Sequence, residues 1–344
     1  MKPISRYARI GQLLKSLKQP DYRYRQITDA IFKHRITRFE QMTMLPKSLR
    51  EVMGREIGEQ IPRIKPILEK NSSQVHKVLF SISEGERIET VRLSYRGGWE
   101  SYCISSQCGC GFGCRFCATG TMGLKRNLTA DEITDQLLEF HVRGYPLDSV
   151  SFMGMGEALA NPQLFDALHL LTDPQLFGLG HRRITVSTIG ILPGIQRLGD
   201  EFPQVNLTFS LHSPFDEQRS QLMPINDRYP LQEVLASLDR HIQKTGRKVY
   251  IAYILLRGIN DSPEHAEAVA SLLRGRGEWE RLYHVNLIPY NSTDATPQRY
   301  ESSDRSRVNR FVQILKSKGI HLTVRTQFGG DINAACGQLY GAEK

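Results

Sequence analysis

The chain has 344 residues, 40% of them hydrophobic and 24% charged, which excludes a disordered chain and allows a sizeable core. No run approaches the ~18 apolar residues of a membrane span. The start, Met1-Lys2-Pro3-Ile4-Ser5-Arg6, lacks the apolar stretch of a secretory signal, so a cytoplasmic protein is expected. The formal charge of +9 is uneven: residues 1–75 hold 16 Lys and Arg against 7 Asp and Glu, so 16 − 7 accounts for all of it. Such a cluster is either a solvated basic face or a module that neutralises nucleic-acid phosphates.

In chain order, residues 6–18 carry Tyr7, Ile10, Leu13, Leu14 and Leu17 at helical spacing, ending before Pro20. Asp21 opens a second candidate helix reaching about residue 34, and a third follows Pro46. Residues 1–75 therefore read as a small helical accessory domain. Alternation over 76–94 predicts a linking β-hairpin. From residue 95 a strand–helix rhythm begins. Strands are predicted at 101–106, 148–153, 183–188, 205–211, 248–256, 283–288 and 320–326. The helices between them lie near 129–143, 162–171, 191–199, 231–245, 262–275 and 303–317. This rhythm means parallel βαβ units, closed into a partial barrel or laid out as an open sheet; periodicity does not choose. The glycine-rich tail 329–344 reads as a loop.

Five of the six cysteines fall between Cys103 and Cys117, and the sixth is Cys336. Cys110-Gly-Phe-Gly-Cys114-Arg-Phe-Cys117 places three thiols within eight residues. Three thiolates can hold three irons of a four-iron, four-sulfur cluster and leave the fourth iron open, with Gly111 and Gly113 letting the loop wrap it. Zinc with Cys108 or Cys103 as fourth ligand is the rival. Gly154-Met155-Gly156-Glu157 offers close backbone approach and an acceptor for a cation.

The CxxxCxxC spacing resembles the radical S-adenosylmethionine (SAM) superfamily. The segments Cys103-Ile-Ser-Ser-Gln-Cys-Gly-Cys, Gly154-Met-Gly-Glu-Ala-Leu-Ala-Asn, Val186-Ser-Thr-Ile-Gly, Ser210-Leu-His-Ser, Met223-Pro-Ile-Asn-Asp and Asp331-Ile-Asn-Ala-Ala-Cys-Gly-Gln-Leu closely resemble the RlmN/Cfr family of that superfamily, whose members methylate adenosine 2503 of 23S rRNA. The resemblance covers nearly the whole chain. It implies an α/β radical SAM partial (β/α)6 barrel over 95–328 with the helical domain at 1–75, and a C-terminal loop carrying the methyl-accepting cysteine.

It further implies one [4Fe-4S] cluster on Cys110, Cys114 and Cys117, and SAM, two per turnover, contacted by Gly156, Glu157, Ser187, Ser210, Leu211, His212 and Asn291. Cys336 would carry the methyl group, Cys103 would resolve the intermediate through a disulfide, and Glu89 would accept the ring proton. Glu157–Asn161 and Arg325–Gly329 are nearer the Cfr branch. Carbon 8 is then the expected target, with antibiotic resistance as consequence; carbon 2, and tRNA as an added substrate, are the alternatives. The implied partners are 23S rRNA before full ribosome assembly and an electron donor such as flavodoxin, with no membrane and a monomer. A zinc-stabilised RNA-binding protein and a cysteine-nucleophile enzyme are the rivals from other classes.

Overall fold

The computed structural model describes residues 4–292, 295–296, 300–325 and 338. Three helices open the chain: α1 (Arg6–Ser16), α2 (Tyr22–Phe32) and α3 (Lys47–Ile57). Ser5 caps α1, its hydroxyl accepting from the Ala8 N–H at 3.2 Å. Tyr7, Ile10 and Leu14 then bury one face.

Strands β1 (Lys65–Asn71), β2 (Val75–Ser81), β3 (Arg87–Tyr95) and β4 (Trp99–Cys103) follow, paired antiparallel in sequence. The hairpin expected over 76–94 is β2–β3, joined edge to edge with the main sheet. β1 falls within the segment expected to be helical. It is an edge strand, largely exposed, and there Pro66 and the charges of Lys65, Glu69 and Lys70 are tolerated.

A separate two-stranded sheet comes next, β5 (Gln107–Cys110) with β6 (Gly123–Asn127), around the short helix α4 (Ala118–Thr121). Its strands are too short for their periodicity to show.

The alternating units are α5 (Ala130–Val142), β7 (Ser149–Phe152), α6 (Leu164–Thr172), β8 (Ile184–Thr188), α7 (Leu192–Glu201), β9 (Asn206–Ser210), α8 (Asp216–Leu222), α9 (Leu231–Thr245), β10 (Val249–Leu255), α10 (Pro263–Arg274), β11 (Tyr283–Pro289), α11 (Arg305–Ser317) and β12 (Leu322–Val324). The ten-stranded sheet runs β1-β2-β3-β4-β7-β8-β9-β10-β11-β12, parallel from β4 onward. No helix among the described residues is long and apolar enough to cross a membrane.

Register separates the two faces. Tyr102, Val150, Ile184, Val186, Leu207, Phe209, Ile251 and Val285 lie on one face. That face meets the helices, as Tyr102 does against Phe140 of α5 with ring centroids 5.1 Å apart. The alternate residues Cys103, Ser151, Thr185, Ser187, Thr208, Ser210 and Ala252 lie on the other. Ser187, Thr208, Ser210, Ala252, Ile254, Ile288 and Arg325 border a single cavity, so the parallel strands curl around it. The sheet begins at β1 and ends at β12, so the barrel is partial.

The helical segment is anchored to α5. The buried Arg6 donates its backbone N–H to Asp131 at 2.8 Å and its guanidinium to Asp135 at 2.6 Å. The Asp135 carboxylate also accepts from the Arg63 N–H at 2.9 Å.

Candidate active site

The three-cysteine loop is the connection of the β5–β6 hairpin. Cys110 ends β5, and Cys117 immediately precedes α4. Gly113 turns the chain with φ +62°, whereas Gly111 has no left-handed backbone. The loop docks on α8 through the Arg115 N–H, which donates to the Leu222 carbonyl at 3.0 Å. Burial pushes the Cys110 thiol up to about 12, with Cys117 and Glu157 adding to it. Burial first, then Cys117 and Cys110, drives Cys114 well above the ordinary thiol range. Three mutually interacting thiols, Cys110 and Cys114 among them desolvated, want a cationic group that ionises them. Cys108, one candidate for a fourth zinc ligand, donates to the Arg87 carbonyl and Cys103 stands on β4, so the loop itself offers three thiols, the number a cluster with one open iron needs.

Cys117 shares the cavity with Gly156, Glu157, Ser187, Ser210 and His212. Gly156 turns with φ +95°, and a Cβ there would stand 2.5 Å from the Gln107 side chain. The turn thus sits where only glycine fits, and Gln107 accepts the Glu157 N–H at 2.8 Å. The Glu157 carboxylate accepts the N–H groups of Ile189 at 2.9 Å and Leu159 at 3.2 Å. Burial lifts it to about 7, against the pull of Ile189, Thr188 and Leu159. A cation entering the cavity would favour its ionised form.

His212 has the left-handed φ of 56° and is buried. Its Nδ1 accepts from the Ile254 N–H at 3.0 Å, which leaves the proton on Nε2. Burial, then Arg219, pushes it down to about 3, so the ring is a neutral donor at physiological pH. Phe116 of the cysteine loop packs edge-on to it, centroids 5.0 Å apart. Leu211 contributes its backbone, donating to the Ala252 carbonyl at 3.0 Å. Asn291 lies two residues past β11, half-buried, at the same end of the sheet.

Glu89, whose sequence suggests an exposed strand carboxylate, is only 3% exposed. The buried Lys77 donates to it at 3.2 Å. Val91 is in register with Cys103, so Glu89, two residues before Val91, points to the same face as Cys103. Cys108 stands apart: it is buried and donates to the Arg87 carbonyl at 3.4 Å, a packing contact against β3. Cys336 lies outside the described residues.

Thr208, Met153, Ala252 and Ile254 also line the cavity. Nothing in the sequence distinguishes them from ordinary strand residues except the alternation of hydroxyls along β8 and β9. Arg325, singled out as nearer one branch, is a wall of the cavity, its guanidinium 3.6 Å from the Met153 sulfur.

Residues 104–270 match the model of the radical SAM superfamily. A ribosomal RNA large subunit methyltransferase Cfr of Clostridium botulinum (strain Loch Maree / Type A3) is 61% identical over 335 residues, 97% of each chain. The Cfr of Staphylococcus aureus is 60% identical over 98% of this chain and 97% of its own length. The crystal structure of a radical SAM methyltransferase from Sphaerobacter thermophilus superposes with a TM-score of 0.91 at 40% identity, covering 99% of this chain and 100% of that one. Likeness of this extent, with cysteine loop, glycine turn and cavity on one barrel mouth, makes this chain a member of the Cfr family of radical SAM methyltransferases.

Proposed function

We propose that this protein methylates a ring carbon of an adenosine in 23S rRNA, carbon 8 in preference to carbon 2, and so protects ribosomes from antibiotics. The observation that carries this reading is the shared cavity of Cys117, Glu157, His212 and the inward hydroxyls, in a chain 60% identical to Cfr methyltransferases along its length. Cys110, Cys114 and Cys117 would hold a four-iron, four-sulfur cluster. With SAM, such a cluster supplies one-electron chemistry able to activate the inert ring carbons of adenine.

The remaining work falls to the chain itself. Glu157 accepts hydrogen bonds from the SAM ammonium group, and the Nε2–H of His212 donates into the cavity. Ser187 and Ser210 offer hydroxyls, with Leu211 and Asn291 completing the contact set. Glu89 takes the ring proton. Lys77 holds its carboxylate at the face shared with Cys103, the thiol that resolves the intermediate on Cys336. The basic residues of the helical domain (1–75), including the exposed Lys15, Lys18, Arg25 and Lys33, grip phosphates of rRNA not yet fully assembled. An electron donor such as flavodoxin, a monomeric state and a cytoplasmic site complete the reading.

The test is mass spectrometry of 23S rRNA from cells lacking their own RlmN, with and without this protein. An 8-methyl product is expected. A 2-methyl product alone would reassign the branch, and none, with iron loading confirmed, would remove rRNA as substrate.

A further inference from the structure

Arg219, on α8, is 0% exposed, an unusual place for a guanidinium. A buried cation is costly unless it is paired and fully hydrogen-bonded, and the ordinary partner is a carboxylate. Here the partners are uncharged. Nε donates to the Leu211 carbonyl at 3.1 Å, and Nη2 donates to the carbonyls of Ile189 at 2.8 Å and Ser210 at 3.1 Å. Nη1 donates to the Asn226 amide oxygen at 2.6 Å. Among the described residues none of its hydrogen bonds goes to a carboxylate. Asp216, three residues earlier, is exposed and accepts the Leu231 N–H. The guanidinium lies over the Phe209 ring, 5.1 Å from its centroid.

Its place explains what balances the charge. Ile189 and Ser210 line the cavity, and Leu211 precedes His212, which also does. The cysteine loop rests on the same helix, with the residue after Cys114 bonded to Leu222. Phe116 of that loop packs edge-on to His212, whose chain neighbour Leu211 accepts from the Arg219 Nε. Of the negative charges near this corner, Glu157 is already held by backbone N–H groups and Asp216 is exposed, which leaves the three thiols, once ionised around a metal group, as its dense buried negative charge among the described residues.

We propose that Arg219 is the built-in counter-charge of the three-thiolate site and sets how readily a cluster held there accepts an electron. This rests on the reading that Cys110, Cys114 and Cys117 hold an iron–sulfur cluster. The step concerned is the transfer of one electron from an external reductant to the cluster, with no proton and no bond broken. A fixed cation nearby favours the more negative, reduced form. Arg219 is thus a positioning residue twice over: it also ties the ends of β8 and β9 together through three carbonyls.

The experiment uses the full chain reconstituted with iron and sulfide under anaerobic conditions. Wild type, Arg219→Gln, Arg219→Lys and Asn226→Asp are titrated with dithionite against redox mediators, with the reduced cluster read by electron paramagnetic resonance. Asn226→Asp keeps the arginine and places a carboxylate against it, so it decides the question if Arg219→Gln fails to fold. The expected result is that Arg219→Gln and Asn226→Asp each disfavour reduction by about tenfold in the equilibrium constant, ~59 mV for one electron. Arg219→Lys should stay near wild type.

Unchanged potentials in fully loaded Gln and Asp variants would overturn the proposal. A Lys variant displaced as far as the Gln variant would also overturn it, since the fork rather than the charge would then be what matters. Wild type that takes up no iron and sulfide would instead remove the cluster reading itself.

Discussion

The parallel strands carry two chemistries on one backbone. On the helix side Val150, Ile184, Val186, Leu207, Phe209, Ile251 and Val285 are at most 2% exposed. One position away in each strand, Ser151, Thr185, Ser187, Thr208 and Ser210 turn to the concave side. Hydrophobic burial is concentrated on the first set, while the second is small enough to leave a cavity and polar enough to bind. Stability and ligand recognition are therefore separable by substitutions a single residue apart.

The largest expected effect is at the cavity mouth. Cys114→Ser should reduce bound iron and sulfide to background and abolish methylation. In metal-free protein it should leave urea unfolding nearly unchanged, and a collapse of the metal-free fold would show that the loop is structural. On the opposite face, Phe209→Ala should cost ~3–5 kcal/mol by cavity formation, read as an earlier urea midpoint; a loss below ~1 kcal/mol would break the comparison.

Acid comes next. Burial pushes His212 to about 3 and His241, on α9, to about 4, against about 6.5 in an unfolded chain. The unfolded chain takes up these protons first. Stability is therefore intact above about pH 6.5 and falls as pH drops toward 4, by up to ~1.4 kcal/mol per unit for each histidine. His241→Gln should make that slope shallower in urea titrations at pH 6, 5 and 4; an unchanged slope would show that His241 is not responsible. The smallest effect belongs to Thr208→Val. It should weaken SAM binding by about three- to tenfold, the worth of one hydrogen bond, with the unfolding midpoint moved by less than ~0.5 kcal/mol. Calorimetry and melting together check it, and an unchanged affinity would show that the Thr208 hydroxyl lines the cavity without binding SAM.

Much of this organisation was legible beforehand. The thiol triplet, the Gly154–Glu157 turn and the helix–strand rhythm are local patterns, and each forms where its spacing indicates. The elements that escaped are those whose local signal is weak or misleading. β1 contains a proline and three charges, and β5 and β6 are four and five residues long. Arg219 sits in Asp-Glu-Gln-Arg-Ser-Gln-Leu, the short helix α8, which lies outside every predicted helix. Lys77 and Glu89 look like surface charges of a strand.

The sequence by itself determined most helices and strands of the βαβ series, where the three clustered thiols stand and which family the chain resembles. All of these depend on residues near one another along the chain. Only the tertiary structure decided that the strands curl around a cavity, that their hydroxyls face inward and that Arg219, Lys77 and Glu89 are buried. Whether a charge can leave water depends on the groups that surround it there. For Arg219 these include carbonyls of β9 and of the turn after β8, brought to α8 by the closing of the sheet.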